Sequence, residues 1–454
     1  MVKATPVMTL QRLTLVESLF RLFNDPHNRR KFLRWLVGGT AGALLLLQLS
    51  RGFCRTPVET AQLLARFFCT SVRTVVQFVA RGFKPKFPNW TLRFELLRGI
   101  MRDAADMFGE RIVDDHHACV IRRQSEVFGS LLGWFARRQY GLRLETVEFN
   151  GLEHVWLKSS TTDTSRAANR LVILFYHGGG YAVLSPRMYI SFCSALAHAV
   201  KQELEARGDI NGAVTVDVFL ANYRKLPEHQ YPVPAEDAVT MYEFLLHHEG
   251  LEPSQIILAG DSAGGGLVMS TLLRVRDGER NLPLPRAAIV ACPLADLTGD
   301  EDESEGRHCV LSPNITAASV LSYHPIRDDP SAWADASPVH CDLQGLPPVL
   351  LQSASLDALF QHSLRLAAKA KADGVTNWEV DTHEDVPHVF MVFPEYVLPY
   401  ARVGIQRMAV FAADQWIGGI VGDPTVPTKI AREVGRTVTV RSRVDVKSIV
   451  PSAG

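Results

Sequence analysis

From about residue 142 the chain alternates two kinds of apolar pattern. LRLETVEF (142–149) and LEHVWLK (152–158) alternate apolar and polar positions and predict an early hairpin. LVILFY (171–176), VTVDVFLA (214–221), IILA (256–259), AAIVA (287–291) and PVLLQS (348–353) are short, almost wholly apolar runs. Strands buried on both faces of a parallel sheet read this way. The alternating TNWEVDTH is a good last strand. Between the runs, residues 188–205, 235–249, 263–277 and 361–373 have helical periodicity, with Pro and Gly at the joints. This βαβα rhythm predicts a doubly wound sheet with helices on both faces.

Two stretches break the rhythm and are candidates for a lid. Residues 88–140 are rich in Arg and aromatics, and residues 298–338 hold the acidic run DEDESEG, then Pro, His and Trp. The pattern divides the chain into an extension over 1–87, a sheet-and-helix domain over 88–420, and a polar, basic tail over 421–454.

Within the extension, Trp35 to Leu49 is an apolar run broken only by Thr40 and Gln48. A full membrane span takes about 20 residues, so the candidate anchor is extended to 32–50. A signal-anchor helix, a cleaved signal peptide and a buried core helix all fit; the basic leader and the lack of a nearby small-residue cleavage site favour the anchor. Leu10, Leu13, Val16, Phe20 and Phe23 form one helical stripe upstream. Leu63, Leu64, Phe67, Phe68, Val72, Val75, Val76 and Val79 form another downstream. Such stripes usually pack on a domain.

Charge sharpens this picture. The whole chain has 48 Lys+Arg and 48 Asp+Glu, which gives nucleic acid no electrostatic footprint. Residues 1–55 hold nine Lys/Arg against Glu17 and Asp25, nine minus two or net +7. More basic residues precede the apolar run than follow it, so the positive-inside rule keeps the N-terminus cytosolic. The catalytic domain is then expected in the lumen of the endoplasmic reticulum, with sequons at Asn89-Trp90-Thr91 and Asn314-Ile315-Thr316. An interfacial hairpin facing the cytosol is the alternative. The seven cysteines are scattered, without a C-x-x-C pair, and read as buried free thiols rather than a zinc site or disulfide framework. No metal or organic cofactor is expected.

The candidate chemistry sits at strand ends. Gly260-Asp261-Ser262-Ala263-Gly264 is a G-x-S-x-G between a strand and a helix, the setting of a nucleophile elbow. His177-Gly178-Gly179-Gly180 follows the strand LVILFY. Its glycines let backbone N–H groups approach a reacting carbonyl, and with the N–H of Ala263 they would form an oxyanion hole. His177 and Gly180 complete that loop, with the histidine orienting it. A serine hydroxyl needs a base, and the base an orienting carboxylate. Asp357 lies just past PVLLQS and His388 past the last strand. His383 is the rival base, but it falls at the end of that strand; His362 is close to Asp357 and sits in a helix.

At these residues the chain resembles the hormone-sensitive-lipase family of α/β hydrolases, over about residues 165–395. The likeness rests on HGGG (177–180), NYRKLPEHQYPVPAEDA (222–238), GDSAGG (260–265), SLDALFQ (355–361) and PHVF (387–390). Lys225 and Leu226 stand where the family usually has Leu-Ala. The resemblance implies an α/β-hydrolase fold with a helical lid, a triad of Ser262, Asp357 and His388, and Gly178, Gly179 and Ala263 as oxyanion donors. The leader looks most like those of arylacetamide deacetylases and fungal steryl acetyl hydrolases. That implies removal of a short acyl group, such as acetyl, from a hydrophobic alcohol such as a sterol. An acyl transferase or amidase on the same triad is an alternative, because an acyl-enzyme is resolved by any suitable nucleophile. A binding module of the same fold is another; family receptors of that kind lack the histidine found here at 388. The sequence is silent on oligomeric state.

Overall fold

The computed structural model describes residues 52–159, 169–207, 214–298, 305–326 and 329–421. The apolar run at 32–50, the upstream stripe and the tail from 422 lie outside the described residues. The central element is an eight-stranded sheet in the order β1-β2-β4-β3-β5-β6-β7-β8. Its strands are β1 Leu142–Phe149, β2 Leu152–Ser159, β3 Arg170–Tyr176, β4 Thr215–Ala221, β5 Ile256–Asp261, β6 Ala287–Ala291, β7 Val349–Ala354 and β8 Trp378–His383. β1 and β2 form the expected antiparallel hairpin, and β2 runs antiparallel to β4. Every later pairing is parallel.

Period-two alternation distributes the strand side chains between two cores. Along β3, Val172, Leu174 and Tyr176 enter one, with Leu245 of α5 (Val233–His247), Leu267 and Leu272 of α6 (Ala263–Arg276) and Leu366 of α8 (Phe360–Ala372). Leu171, Ile173 and Phe175 enter the other, with Leu196 and Val200 of α4 (Ile190–Ala206) and Met408 and Phe411 of α9 (Ala401–Val421). Both faces of the parallel region are therefore covered, which explains why its strands read as continuous apolar runs.

The N-terminal layer is helical: α1 Pro57–Ala80, α2 Leu92–Phe108 and α3 Asp115–Gln139. Thr56, Thr91 and Asp114 cap these helices, each side chain accepting a backbone N–H of the first turn. Leu63 and Phe67 of α1 pack with Ala104 and Phe108 of α2. Arg111–Glu59 at 2.9 Å and Arg66–Asp103 at 2.9 Å clamp the same contact. The downstream stripe thus packs on the domain, but with one edge only. Phe68, Val72, Val75, Val76 and Val79 remain exposed.

The second irregular stretch supplies α7, Pro313–Tyr323. It joins the first: Ser312 Oγ donates to the Ala105 carbonyl at 3.0 Å, and the Arg102 guanidinium donates to the carbonyls of Gly306 and Leu311.

Candidate active site

Ser262 stands between β5 and α6 with φ 54° and ψ −123°. A non-glycine residue there costs about 1–3 kcal/mol and persists only where its surroundings over-determine it. Three backbone bonds do so: Ser262 N–H to the Ala291 carbonyl, and the N–H groups of Gly266 and Leu294 to the Ser262 carbonyl. The flanking glycines are required by close approach. A Cβ on Gly264 would lie 2.0 Å from the Tyr176 carbonyl oxygen, and one on Gly260 would lie 2.4 Å from that of Gly264.

Asp357 follows β7 and His388 follows β8, so adjacent parallel strands deliver both to the same sheet edge. His388 Nδ1 lies 2.8 Å from the Asp357 carboxylate, and both side chains are buried. The Leu359 N–H also donates to Asp357, at 2.9 Å. The two loops are tied by Leu356 N–H to the Val386 carbonyl and by Asp385 N–H to Ser355 Oγ. With Nδ1 donating to the carboxylate, Nε2 is the nitrogen left to accept a proton. Ser262 Oγ makes no hydrogen bond among the described residues. Such bonds are often long without substrate and tighten in the complex.

His383, the rival base, is the last residue of β8 and turns elsewhere. Its ring is held by Asp381 at 2.8 Å and the Tyr400 hydroxyl at 3.1 Å. His362 lies in α8, where its Nδ1 accepts the N–H groups of Ala295 and Asp296 at 3.2 Å each.

The glycine loop departs from expectation at one residue. The Gly178 N–H, expected as an oxyanion donor, is already engaged: it donates to Asp261 Oδ1 at 3.1 Å and to the Tyr189 hydroxyl at 3.2 Å. Local sequence could not reveal this, because Tyr189 and Asp261 meet the loop only through the fold. Among the described residues the N–H groups of Gly179, Gly180 and Ala263 have no protein acceptor. Gly180, read from sequence as a loop member, has the open N–H that Gly178 lacks. Its φ of 59° and its closeness to α7, where a Cβ would meet Ser319 Oγ at 2.2 Å, restrict the position to glycine.

His177 lies beneath the loop. It is fully buried, stacks on Tyr223 at 4.6 Å, and its Nδ1 lies 2.7 Å from the Gly178 carbonyl. Burial holds its pKa well below the usual histidine range, so the ring is neutral. The Tyr223 hydroxyl donates to the His177 carbonyl at 2.9 Å.

Asp261 is the residue that sequence reading left without a role. It accepts from Gly178 and, at 2.8 Å, from the Tyr189 hydroxyl. Burial pushes its carboxyl up to about 6, moderated by Tyr189 and by the nearby His388. A second unforeseen group is Trp90, whose Nε1–H donates to the Asp385 carbonyl at 2.7 Å and braces the loop carrying His388. Lys225 is buried beside Tyr223. Its ammonium lies 4.7 Å from that ring and donates to the Tyr223 carbonyl at 2.9 Å. Burial, with the Arg122 charge, pulls its pKa down to about 7. A separate cavity of about 480 Å³ opens beyond the far end of α6, at Arg274, Gly278 and Asp335. It lies roughly 18 Å along the helix from Ser262 and is distinct from this site.

Residues 173–392 match the family model of the alpha/beta hydrolase fold. An acetyl-hydrolase of Streptomyces hygroscopicus is 35% identical over 243 residues, covering 53% of this chain and 74% of the relative. The chain belongs to the hormone-sensitive-lipase-type α/β hydrolases. A carboxylesterase of Mycobacterium tuberculosis, NlhH, is 29% identical over 59% of this hydrolase and 81% of its own length. The crystal structure of an esterase from the bacterial hormone-sensitive lipase family superposes with TM-score 0.57 at 28% identity, covering 73% of this chain and 100% of that one. This hydrolase is accordingly a serine ester hydrolase.

Proposed function

We propose that the chain cleaves carboxylic esters through an acyl-enzyme on Ser262, with His388 as base and Asp357 as its orienting carboxylate. The observation that carries this reading is the convergence of three features at one sheet edge: a strained Ser262, the Asp357–His388 pair at 2.8 Å, and the open N–H groups of Gly179, Gly180 and Ala263. His388 Nε2 takes the Ser262 proton as Oγ attacks the carbonyl carbon. The three N–H groups stabilise the oxyanion, where one such donor is worth roughly 10²–10³ in rate. The alcohol leaves with the proton from His388, and water then repeats the sequence to release the acid.

The preferred substrate is a short acyl ester, acetyl above all, of a hydrophobic alcohol such as a sterol. Two observations support it. One relative is named an acetyl-hydrolase. A Cβ on Gly180 would meet Ser319 Oγ at 2.2 Å and Ile112 at 3.4 Å, so α7 packs closely against the oxyanion loop. The test is Ser262→Ala, which removes both ester turnover and labelling by a serine-directed phosphonate, combined with a panel of acyl lengths. Labelling retained on another serine overturns the nucleophile assignment, and turnover that climbs from acetyl to long-chain esters overturns the acyl preference.

We further propose that the chain is anchored by residues 32–50 with its catalytic domain in the lumen of the endoplasmic reticulum. The exposed apolar edge of α1, which begins only seven residues past that segment, supports a membrane at this face. α1 itself is long and apolar enough to cross a bilayer, but its docked edge and the ion pairs at Glu59 and Arg66 favour lying on the body. Of the two sequons, Asn314 is the exposed one. Carbonate extraction tests the anchor, and a glycosidase shift tests the lumenal orientation. Release by carbonate overturns the former; protease digestion outside intact microsomes overturns the latter.

A further inference from the structure

Two thiols with no part in the proposed reaction flank the Asp357–His388 pair. Cys292 follows β6 directly and is fully buried; Cys309 follows the turn Glu305–His308 and is fully buried as well. One donor atom each from Cys292, Asp357 and His388 lies within 4.8 Å of the others. Cys309 Sγ stands 3.9 Å from Asp357 Oδ1, and the two sulfurs are close enough to influence one another electrostatically. Thus one sulfur, a carboxylate and an imidazole nitrogen converge, with the Cys309 sulfur beside the carboxylate but outside that group, a donor set that suits a soft or borderline divalent cation.

We propose that this cluster is an inhibitory zinc-binding site, in which Cys292, Cys309, Asp357 and His388 capture the ion and take the base out of service. For three of the four ligands the geometry permits it with small movements. Donor atoms around a tetrahedral zinc stand roughly 3.3–3.8 Å apart, given Zn–N and Zn–O near 2.0–2.2 Å and Zn–S near 2.3 Å. The nitrogen–oxygen pair at 2.8 Å must open by about half an ångström and the Cys292 sulfur must close by up to about one, while Cys309, outside the 4.8 Å group, must swing further in. Each ligating thiol loses its proton to solvent as the S–Zn bond forms. The Leu311 N–H, which faces Cys309 Sγ at 3.4 Å, stabilises the resulting thiolate. The nitrogen of His388 that faces Asp357 is Nδ1. Once Nδ1 binds zinc, the proton of the neutral ring resides on Nε2, so Nε2 no longer has a lone pair for the Ser262 proton. The inhibitory consequence rests on the reading of His388 as base; the binding of the ion does not.

Proton release gives the site a pH signature. Burial raises both thiols, Cys309 to about 12. Asp357 faces both thiols and Arg98 on α2 faces Cys309, while Asp261 at the end of β5 faces His388. Zinc affinity then rises about tenfold per pH unit if one thiol ligates and about a hundredfold if both do.

The experiment uses the full chain in detergent and zinc alone as the probe, buffered by a competing chelator. The expected result is one zinc per chain, with ester turnover and phosphonate labelling of Ser262 falling together as the site fills and returning on chelation. Cys292→Ala and Cys309→Ala should each weaken zinc binding by more than about 100-fold, beyond the usual loss of an outer-sphere partner. Both should keep their turnover in zinc-free buffer. Cobalt in place of zinc should give a tetrahedral d–d spectrum with thiolate charge transfer, a readout independent of activity. Cys292→Ser and Cys309→Ser provide a second pair should an alanine variant fail to fold. Inhibition of both cysteine variants at the wild-type zinc concentration overturns the proposal, as does wild-type protein that binds no zinc in the millimolar range. If His388→Gln keeps its turnover, the base assignment fails instead, and chelator competition still reports the ion.

Discussion

The catalytic edge of the sheet and the N-terminal helical layer break opposite rules. At the edge the backbone and the buried polar groups violate local preference. Ser262 takes a positive φ, Asp261 is a buried carboxyl raised to about 6, and Lys225 is a buried amine lowered to about 7. Each is enclosed by partners that fix one arrangement. In the helical layer local preference is met by capped N-termini, regular helices and ion pairs such as Arg111–Glu59 and Arg66–Asp103. What fails there is the global rule, because Phe68, Val75, Val76 and Val79 face outward. The first kind of violation accompanies chemistry, which needs preorganised groups. The second accompanies a surface awaiting a neighbour.

The sharpest test of the catalytic side is its histidines. His388→Gln should lower kcat by roughly 10⁶-fold, as loss of a triad base does, and Asp357→Asn by roughly 10⁴-fold. His383→Ala, measured per folded molecule, should stay within a few-fold of wild type, because that ring faces Asp381 and Tyr400. The reverse ranking of the two histidines would refute the site.

Lys225 tests whether the buried polar groups carry a stability cost. Its folded pKa, about 7, lies below the ordinary lysine value. Between these values the unfolded chain holds the extra proton, so stability rises with pH across that window. As pH falls to 7 the gain is lost, and below 7 the term is constant. The change across the window is on the order of 4 kcal/mol, and Lys225→Met should abolish it. Equal pH slopes for the two proteins in denaturant titrations at pH 7 and above would remove the argument.

Two substitutions in α1 sharpen the other half of the contrast. Leu63 is 1% exposed, and Leu63→Ala should cost about 2–5 kcal/mol. Val76 is 60% exposed, and Val76→Glu should change stability by no more than about 0.5 kcal/mol. A large loss from Val76→Glu in detergent would mean that this face packs on protein.

Much of the fold was legible because parallel strands buried on both faces must be apolar throughout and the helices between them must be amphipathic. The strand limits from LVILFY to TNWEVDTH differ from the observed ones by a residue or two. Ser262, Asp357 and His388 were findable because each follows a strand, and the ends of parallel strands share one edge. The pattern also found α1, but the usual habit of such stripes, packing on a domain, describes only the edge that carries Leu63 and Phe67.

The sequence by itself determined the sheet-and-helix alternation, the strained strand-to-helix turn and the residue types that end each strand. These are local properties, written in periodicity and in glycines that no other residue replaces. Only the tertiary structure decided which N–H groups of the glycine loop stay open, since Asp261 and Tyr189 claim Gly178 from distant positions. It alone decided that Trp90 braces the His388 loop and that Cys292 and Cys309 flank the Asp357–His388 pair. A hydrogen bond or a shared cluster depends on distances between elements that packing sets, and no local stretch of chain encodes those distances.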